Sequence, residues 1–297
     1  MNNIFINYLF NLFNYINDNK KLFIIVFLLL YFIYTIYMKT NAMKVIVFDL
    51  DETLGNFGEL GVFCDTIEKY NKKPLTNKEF YKIMDMFPIF LRPNIIKILS
   101  FLKNKKESGL LKKVYIYTNN NGPKEWAERI KLYLEYKINY KLFDKIIAAY
   151  KVNGKQVELG RTTYNKTIDD FLSITKLPKN TEICFLDDAY HEDMHYDNVF
   201  YLQVKPYFAS ISFYDMAKKY FNINKDIILD ENKFIEYVIN NMNHYNIDFY
   251  NKTTTQENND KQISFEILIA LKKFLKIKKT YETRKIKKKS RRTTEKY

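Results

Sequence analysis

Cysteine, tryptophan, histidine, glycine and proline are all scarce in this 297-residue chain: 2 Cys, 1 Trp, 3 His, 7 Gly and 6 Pro. Two cysteines cannot build a disulfide framework, so the folded part suits a reducing compartment. So few glycines and prolines exclude a collagen-like or Gly-rich β architecture. With so little Cys and His, no zinc-ligand spacing is present. Cys64 and Cys184 read as buried, inert thiols. His191 and His195, four apart, read as packing or rim residues on one helix face. What is abundant is apolar and aromatic. Hydrophobic residues make up 47% of the chain, with 25 Tyr and 24 Phe, and charged residues 28%. That is the composition of a globular chain and excludes a wholly disordered one.

The formal net charge of +14 is unevenly placed. Residues 272–297 hold 13 Lys/Arg against 2 Glu, which leaves 43–271 nearly neutral. Such a tail reads as a solvated end, as a nucleic-acid-binding arm, as a nuclear-import signal, or as a patch for anionic lipid. At the other end, residues 22–38 carry no charge and are flanked by Lys20-Lys21 and Lys39. As a helix this stretch would span roughly 25 Å, just short of a hydrocarbon core of roughly 30 Å. It is expected to be an N-terminal membrane helix that leaves the remainder on the cytoplasmic side. The alternative is that Met43 is the true start, which would make the protein soluble and cytoplasmic or nuclear. The pattern specifies no oligomeric state.

Between these ends, apolar runs alternate with helical patterns. Lys44–Phe48, Lys113–Tyr117, Glu182–Leu186 and 198–204 read as strands, the first three as buried parallel ones. A third strand is expected within 143–152, turning through Asn153-Gly154 as a hairpin into 155–159. Helices are expected at 94–103 after Pro93, from Pro123 onward with Trp126, Ile130, Tyr133 and Leu134 on one face, and after a Thr167 cap. Residues 56–63, with Gly58 and Gly61, read as a small turn-rich flap. The expected fold is α/β, a Rossmann-like doubly wound parallel sheet over 43–222. A helical extension (223–250) follows, then a polar linker (251–262), an amphipathic helix (263–275) and the basic tail. In such sheets ligands collect beyond the carboxyl ends of the strands. Three strands deliver Asp49 and Asp51, Thr118, and Asp187 and Asp188 to that edge.

Carboxylates gathered at one edge repel unless a cation joins them. With oxygen ligands alone on offer, a hard ion such as Mg²⁺ is the fitting partner. An aspartate can also attack phosphorus and form an aspartyl-phosphate. That chemistry needs a metal, a donor for the phosphoryl oxygens, a compensating cation and a proton donor for the leaving oxygen.

Asp49-Leu-Asp-Glu-Thr-Leu54 after an apolar strand resembles the first motif of the haloacid dehalogenase superfamily. Its wording resembles the FCP/SCP-like (NLI-interacting-factor-like) branch, which dephosphorylates Ser/Thr phosphoproteins, including the C-terminal domain of RNA polymerase II. Tyr115-Ile-Tyr-Thr-Asn119 resembles the second motif and Cys184-Phe-Leu-Asp-Asp188 the fourth. Arg92-Pro93 before a helix resembles the same branch, and the likeness covers about 43–207. Gly55-Asn56 departs from it, where the branch usually has Val and then His or Asn. The resemblance implies that Asp49 is the nucleophile, Asp51 the general acid/base and Thr118 a phosphate ligand. Thr53 and Asn119, in the same motifs, are expected at the substrate. Asp49, the Asp51 carbonyl, Asp187 and Asp188 would hold Mg²⁺. Lys166, 21 residues before Asp187, resembles the motif lysine in placement. Lys155 is the other candidate and is expected to face solvent in the hairpin. Arg161 reads as a surface residue, or else as a phosphate contact. The expected function is Mg²⁺-dependent hydrolysis of a Ser/Thr phosphoprotein. The alternatives are a phosphatase of nucleic-acid ends or small phosphometabolites, and a membrane-tethered binding module without catalysis.

Overall fold

The computed structural model describes residues 24–32, 42–245, 247 and 249–276. Two compact units divide the chain, Met1–Met43 and Lys44–Tyr297. In the first, residues 24–32 are helical, with Ile24, Phe27, Leu28 and Leu30 all exposed. Among the described residues no helix is long and apolar enough to cross a membrane, so the expected membrane helix is not found. Residues 22, 23 and 33–38 of that expectation lie outside the described residues, as does the tail from 277 onward.

The second unit is α/β. Its five strands are β1 (Lys44–Phe48), β2 (Lys113–Tyr117), β3 (Lys145–Ile147), β6 (Glu182–Asp187) and β7 (Val199–Gln203). They pair in the order β3-β2-β1-β6-β7, every pair parallel, consistent with a Rossmann-like fold. The central strands read as apolar runs because both of their faces are covered; Val45, Ile46 and Val47 are fully buried. Helices α3 (Ile95–Glu107), α4 (Lys124–Ile138) and α5 (Ile168–Thr175) connect the strands. The chain winds outward from β1 to β3, then returns to β6 on the other side of β1. The order therefore reverses between β1 and β6, where an open α/β sheet forms its crevice. The hairpin of β4 (Lys151–Val152) and β5 (Lys155–Gln156) turns at Asn153-Gly154 as expected, with φ values of 49° and 77°. It stands apart from the five-stranded sheet.

Two expectations fail. The flap at 56–63 is instead the start of α1 (Gly58–Asn71), followed by α2 (Asn77–Met86). Leu60, Phe63, Cys64 and Ile67 recur at helical spacing and are buried. Gly61 serves close packing rather than a turn, since a Cβ there would lie 3.3 Å from the Trp126 ring. The linker at 251–262 is helical from Thr254, inside α8 (Thr254–Leu275). A capping box of Thr253 and Gln256 starts that helix, and Lys252 pairs with the buried Asp260 at 2.5 Å. The helices α6 (Phe213–Ile223) and α7 (Glu231–Met242) pack on each other, and α7 packs on α1.

Glu59, at the start of α1, is buried at 3% exposure. Its Oε1 accepts from the Ile211 N–H at 3.0 Å, and its Oε2 has no hydrogen-bond partner among the described residues. Burial raises its pKa above the ordinary value, so the folded state holds the proton more tightly than the unfolded chain. Its contribution to stability is complete below the unfolded pKa and is lost as pH rises through the folded one. Glu59→Gln keeps the Ile211 bond and removes the charge. It is expected to raise Tm more at pH 8 than at pH 4, read by thermal unfolding monitored by circular dichroism.

Candidate active site

The site is built where β1 and β6 end side by side. The Asp49 N–H bonds to the Leu186 carbonyl at 2.8 Å, which sets the first residue after β1 against the last residues of β6. Beyond Asp49 the chain coils tightly: Thr53 N–H donates to the Asp51 carbonyl at 2.6 Å and Leu54 N–H to the Leu50 carbonyl at 2.9 Å. Glu52 takes a left-handed φ of 53° to make this turn. Gly55 closes it, because a Cβ there would lie 2.4 Å from the Phe90 carbonyl oxygen. The departure at Gly55 is thus a requirement of this loop. The buried Arg92 clamps the same loop through the Thr53 carbonyl (2.6 Å), the Glu52 carbonyl (2.5 Å) and the Lys205 carbonyl (2.8 Å).

Asp49, Asp187 and Asp188 each offer an oxygen within 4.8 Å of the others. Lys166, 1% exposed, donates to Asp49 Oδ1 at 2.5 Å and to Asp187 Oδ2 at 2.7 Å. Lys155 is exposed on β5, so of the two candidates only Lys166 reaches the cluster. Burial disfavours charge on Lys166, but Asp49 and Asp187 outweigh burial and raise its pKa. Burial pushes Asp49 up to about 7 against the pull of Lys166. Burial also works against the Asp187 carboxylate, yet His191 and Lys166 hold it below the usual range. Asp188 is raised by burial. Glu52 is pushed up to about 7 by burial and by its neighbours Asp51 and Asp188. Burial is the first cause of each carboxyl's rise, and neighbouring carboxylates add to it at Asp49, Asp188 and Glu52. Three converging carboxylates with no nitrogen or sulfur ligand suit a hard divalent cation such as Mg²⁺.

The carboxylate of Asp51 stands outside that trio. Its Oδ2 accepts from Asn120 Nδ2 at 2.7 Å, and burial raises its pKa. A raised carboxyl is suited to hold a proton and give it up to a leaving group. Thr118 is buried; its Oγ1 accepts from the Asn120 N–H at 2.9 Å, and its own hydroxyl hydrogen has no acceptor among the described residues. Thr53 is also buried, and its hydroxyl donates to Asp188 Oδ1 and accepts from the Asp188 N–H, both at 3.1 Å. It therefore braces a cluster carboxylate. Asn119 is exposed, with its Oδ1 accepting from Arg161 at 2.7 Å.

Arg161 is not on the surface; its two terminal nitrogens are taken up by the protein, while its Nε has no hydrogen-bond partner among the described residues. It is 1% exposed and donates to the carbonyls of Thr118, Ala148, Tyr164 and Asn165. These bonds join the end of β2 to the residues just before Lys166. Nor do His191 and His195 share a helix face, since only a short 3₁₀ turn, Glu192–Met194, lies between them. His191 Nε2 sits 3.4 Å from Asp187 Oδ2, while His195 stacks on Tyr201 with ring centroids 4.4 Å apart.

Asn120 is the residue that sequence reasoning passed over. Its Oδ1 accepts from the Gly122 N–H at 2.8 Å, which fixes the amide in a local turn and aims its Nδ2 at Asp51. Asn120→Leu removes that donor. If Asp51 delivers a proton to the leaving oxygen, kcat for an alkyl phosphate is expected to fall about 10²-fold. An aryl phosphate, whose leaving group needs less protonation, is expected to lose much less. Steady-state kinetics on the two substrates reads the difference.

Fold and site together define an α/β protein with a lysine-bridged aspartate cluster at the switch point of a parallel sheet. Comparison with protein-family models, with curated proteins and with solved structures found no match.

Proposed function

We propose that the chain is a Mg²⁺-dependent phosphatase of the haloacid dehalogenase type that works through an aspartyl-phosphate, with Ser/Thr phosphoprotein as its substrate class. The observation that carries this reading is the single cluster of Asp49, Lys166 and Asp187, with the proton-holding Asp51 two residues from Asp49. Asp49, Asp187, Asp188 and the Asp51 carbonyl would hold the cation, which when bound supplies positive charge to the phosphoryl oxygens. The Asp49 carboxylate attacks phosphorus while the bond to the leaving oxygen breaks. Asp51 gives its proton to that oxygen, and Thr118 and Lys166 hold the phosphoryl charge and the nucleophile in place. Asp51, now a carboxylate, then takes a proton from water as the water oxygen attacks phosphorus. Inorganic phosphate leaves and Asp49 is restored.

The phosphoprotein assignment is supported by the lack of a second folded unit over this edge among the described residues of 44–276. The test is turnover of a phosphoserine peptide, a 5′-phosphorylated oligonucleotide and a sugar phosphate by the full chain, with Mg²⁺ and with EDTA. Mg²⁺-dependent release of phosphate, fastest from the peptide, is expected. Preference for the oligonucleotide or the sugar would overturn the substrate class, and no turnover of any of them would overturn the enzyme reading.

A further inference from the structure

The two ends of the parallel sheet differ in charge. The loops that leave β1 and β6, residues 49–57 and 187–193, contain seven Asp/Glu and no Lys or Arg. The opposite end is where strands begin and helices finish. There Lys44 and the segments 101–113, 136–145, 175–182 and 271–276 carry 14 lysines against Glu107, Asp144, Glu182 and the nearby Asp197, and Lys137 and Lys145 pair outward with Asp85 and Glu158. Contacts tie these segments into one face. Lys103 Nζ donates to the Ile138 carbonyl at 3.3 Å, and Lys106 Nζ to the Leu142 carbonyl at 2.6 Å. Asn198 Nδ2 donates to the Lys179 carbonyl at 3.1 Å. Asp144 pairs with Lys106 and Lys113, and Glu182 with Lys44. Lys112, Lys141, Lys176, Lys179, Lys273 and Lys276 are exposed and form no ion pair among the described residues.

Two stretches of chain meet this face. α8 ends on it, with the Phe274 carbonyl accepting from Lys44 Nζ at 2.6 Å and the Phe274 ring stacked on Phe200. The basic residues 277–297 follow this helix end in the sequence. Lys44 is also where the chain enters β1, six residues after the uncharged stretch 22–38. The described part of that stretch is a helix whose Ile24, Phe27, Leu28 and Leu30 are all more than half exposed, although an apolar surface on every side needs an apolar surrounding.

We propose that the lysine face and the tail that follows it in the sequence dock on an anionic phospholipid membrane surface, with the aspartate cluster directed away from the bilayer. Charge alone would admit a nucleic acid. The uncharged stretch 22–38 favours lipid, because it ends only six residues before Lys44 in the sequence, so one short length of chain carries both an apolar run and a lysine of this face. The tail also lacks an aromatic ladder for base stacking, with only Tyr281 and Tyr297 beyond residue 276. The inference is independent of the chemistry at the other end of the sheet.

The test is flotation of the full chain with vesicles of phosphatidylcholine, or of phosphatidylcholine with about 30 mol% phosphatidylserine. The apolar segment alone would partition equally into both. Each lysine near an anionic surface raises partitioning about five-fold at low salt, so binding to the serine-lipid vesicles is expected to be at least tenfold stronger in about 0.1 M salt and to lose that advantage in about 0.5 M salt. Lys112→Gln, Lys141→Gln, Lys179→Gln and Lys273→Gln together are expected to remove most of the advantage with Tm unchanged. A second variant, Lys287→Gln with Lys288→Gln and Lys289→Gln, leaves the folded face intact and is expected to lose about tenfold or more. Equal binding to both vesicles would overturn the proposal. So would retention of the serine-lipid advantage in both variants. Displacement from the vesicles by single-stranded RNA at matched phosphate concentration would make the face a nucleic-acid site instead.

Discussion

Asp49→Asn is expected to abolish aryl-phosphate hydrolysis, with a fall of roughly 10⁴-fold or more in kcat, while the fold survives. The side chain keeps its shape, and an amide oxygen can still accept from Lys166. Burial already pushes the Asp49 carboxyl up to about 7, so its folded pKa lies above its unfolded one. Its stabilising contribution is complete below the unfolded pKa and is lost as pH rises through the folded one, so at pH 8 the carboxylate weakens the fold. A neutral amide removes that cost. Tm at pH 8, measured without metal, is therefore expected to hold or rise. Activity above a few per cent of the parent in steady-state assays would remove Asp49 from the role of nucleophile.

The second large effect belongs to Lys166. Its ammonium is 1% exposed and bridges two buried carboxylates at 2.5 and 2.7 Å. Lys166→Ala leaves Asp49 and Asp187 facing each other without compensation. Breaking a buried pair in this way costs about 3–5 kcal/mol of stability. In catalysis it removes the charge that holds the nucleophile and the phosphoryl oxygens, a loss of roughly 10²–10³-fold in kcat. Lys155→Ala, on the exposed β5, is expected to stay within about twofold of the parent. Because a cation in the cluster would partly replace the missing charge, the Tm loss of Lys166→Ala is expected to be smaller in Mg²⁺ than in EDTA. The reverse ranking of the two lysines in kcat would contradict the assignment, and equal Tm losses in Mg²⁺ and EDTA would argue against a cation at Asp49, Asp187 and Asp188.

The parallel sheet and the main carboxylates were legible because their signals are local. Four apolar residues followed by Asp-Leu-Asp state a buried strand and its carboxylate-bearing edge within one short window. Lys166 was legible through a placement before Asp187 that resembles the family's motif lysine, and through its position beside a helix cap. The residues that were missed or misplaced act across the fold. Asn120 sits in what looks like an ordinary Asn-Asn-Asn-Gly turn, and nothing local tells that one of those amides meets Asp51, 69 residues away. Arg161 resembles any loop arginine until the carbonyls of Thr118 and Ala148 are brought to it. Gly61 mimics a turn signal because close packing against Trp126 and a tight turn ask for the same residue, while Gly58 simply opens α1 with open space around it. The polar start of α8 hid its helix, since the pattern there comes from a capping box and the Lys252–Asp260 pair rather than from an apolar stripe.

The central claim is that the Asp49 carboxylate becomes phosphorylated during turnover. Acid quenching within the first turnover on a radiolabelled phosphopeptide, followed by proteolysis and mapping of the label, tests it directly. The account predicts a hydroxylamine-sensitive acyl phosphate on the peptide that contains Asp49, absent from Asp49→Asn. Label on a serine or histidine peptide, or turnover with no labelled protein at any quench time, would contradict it.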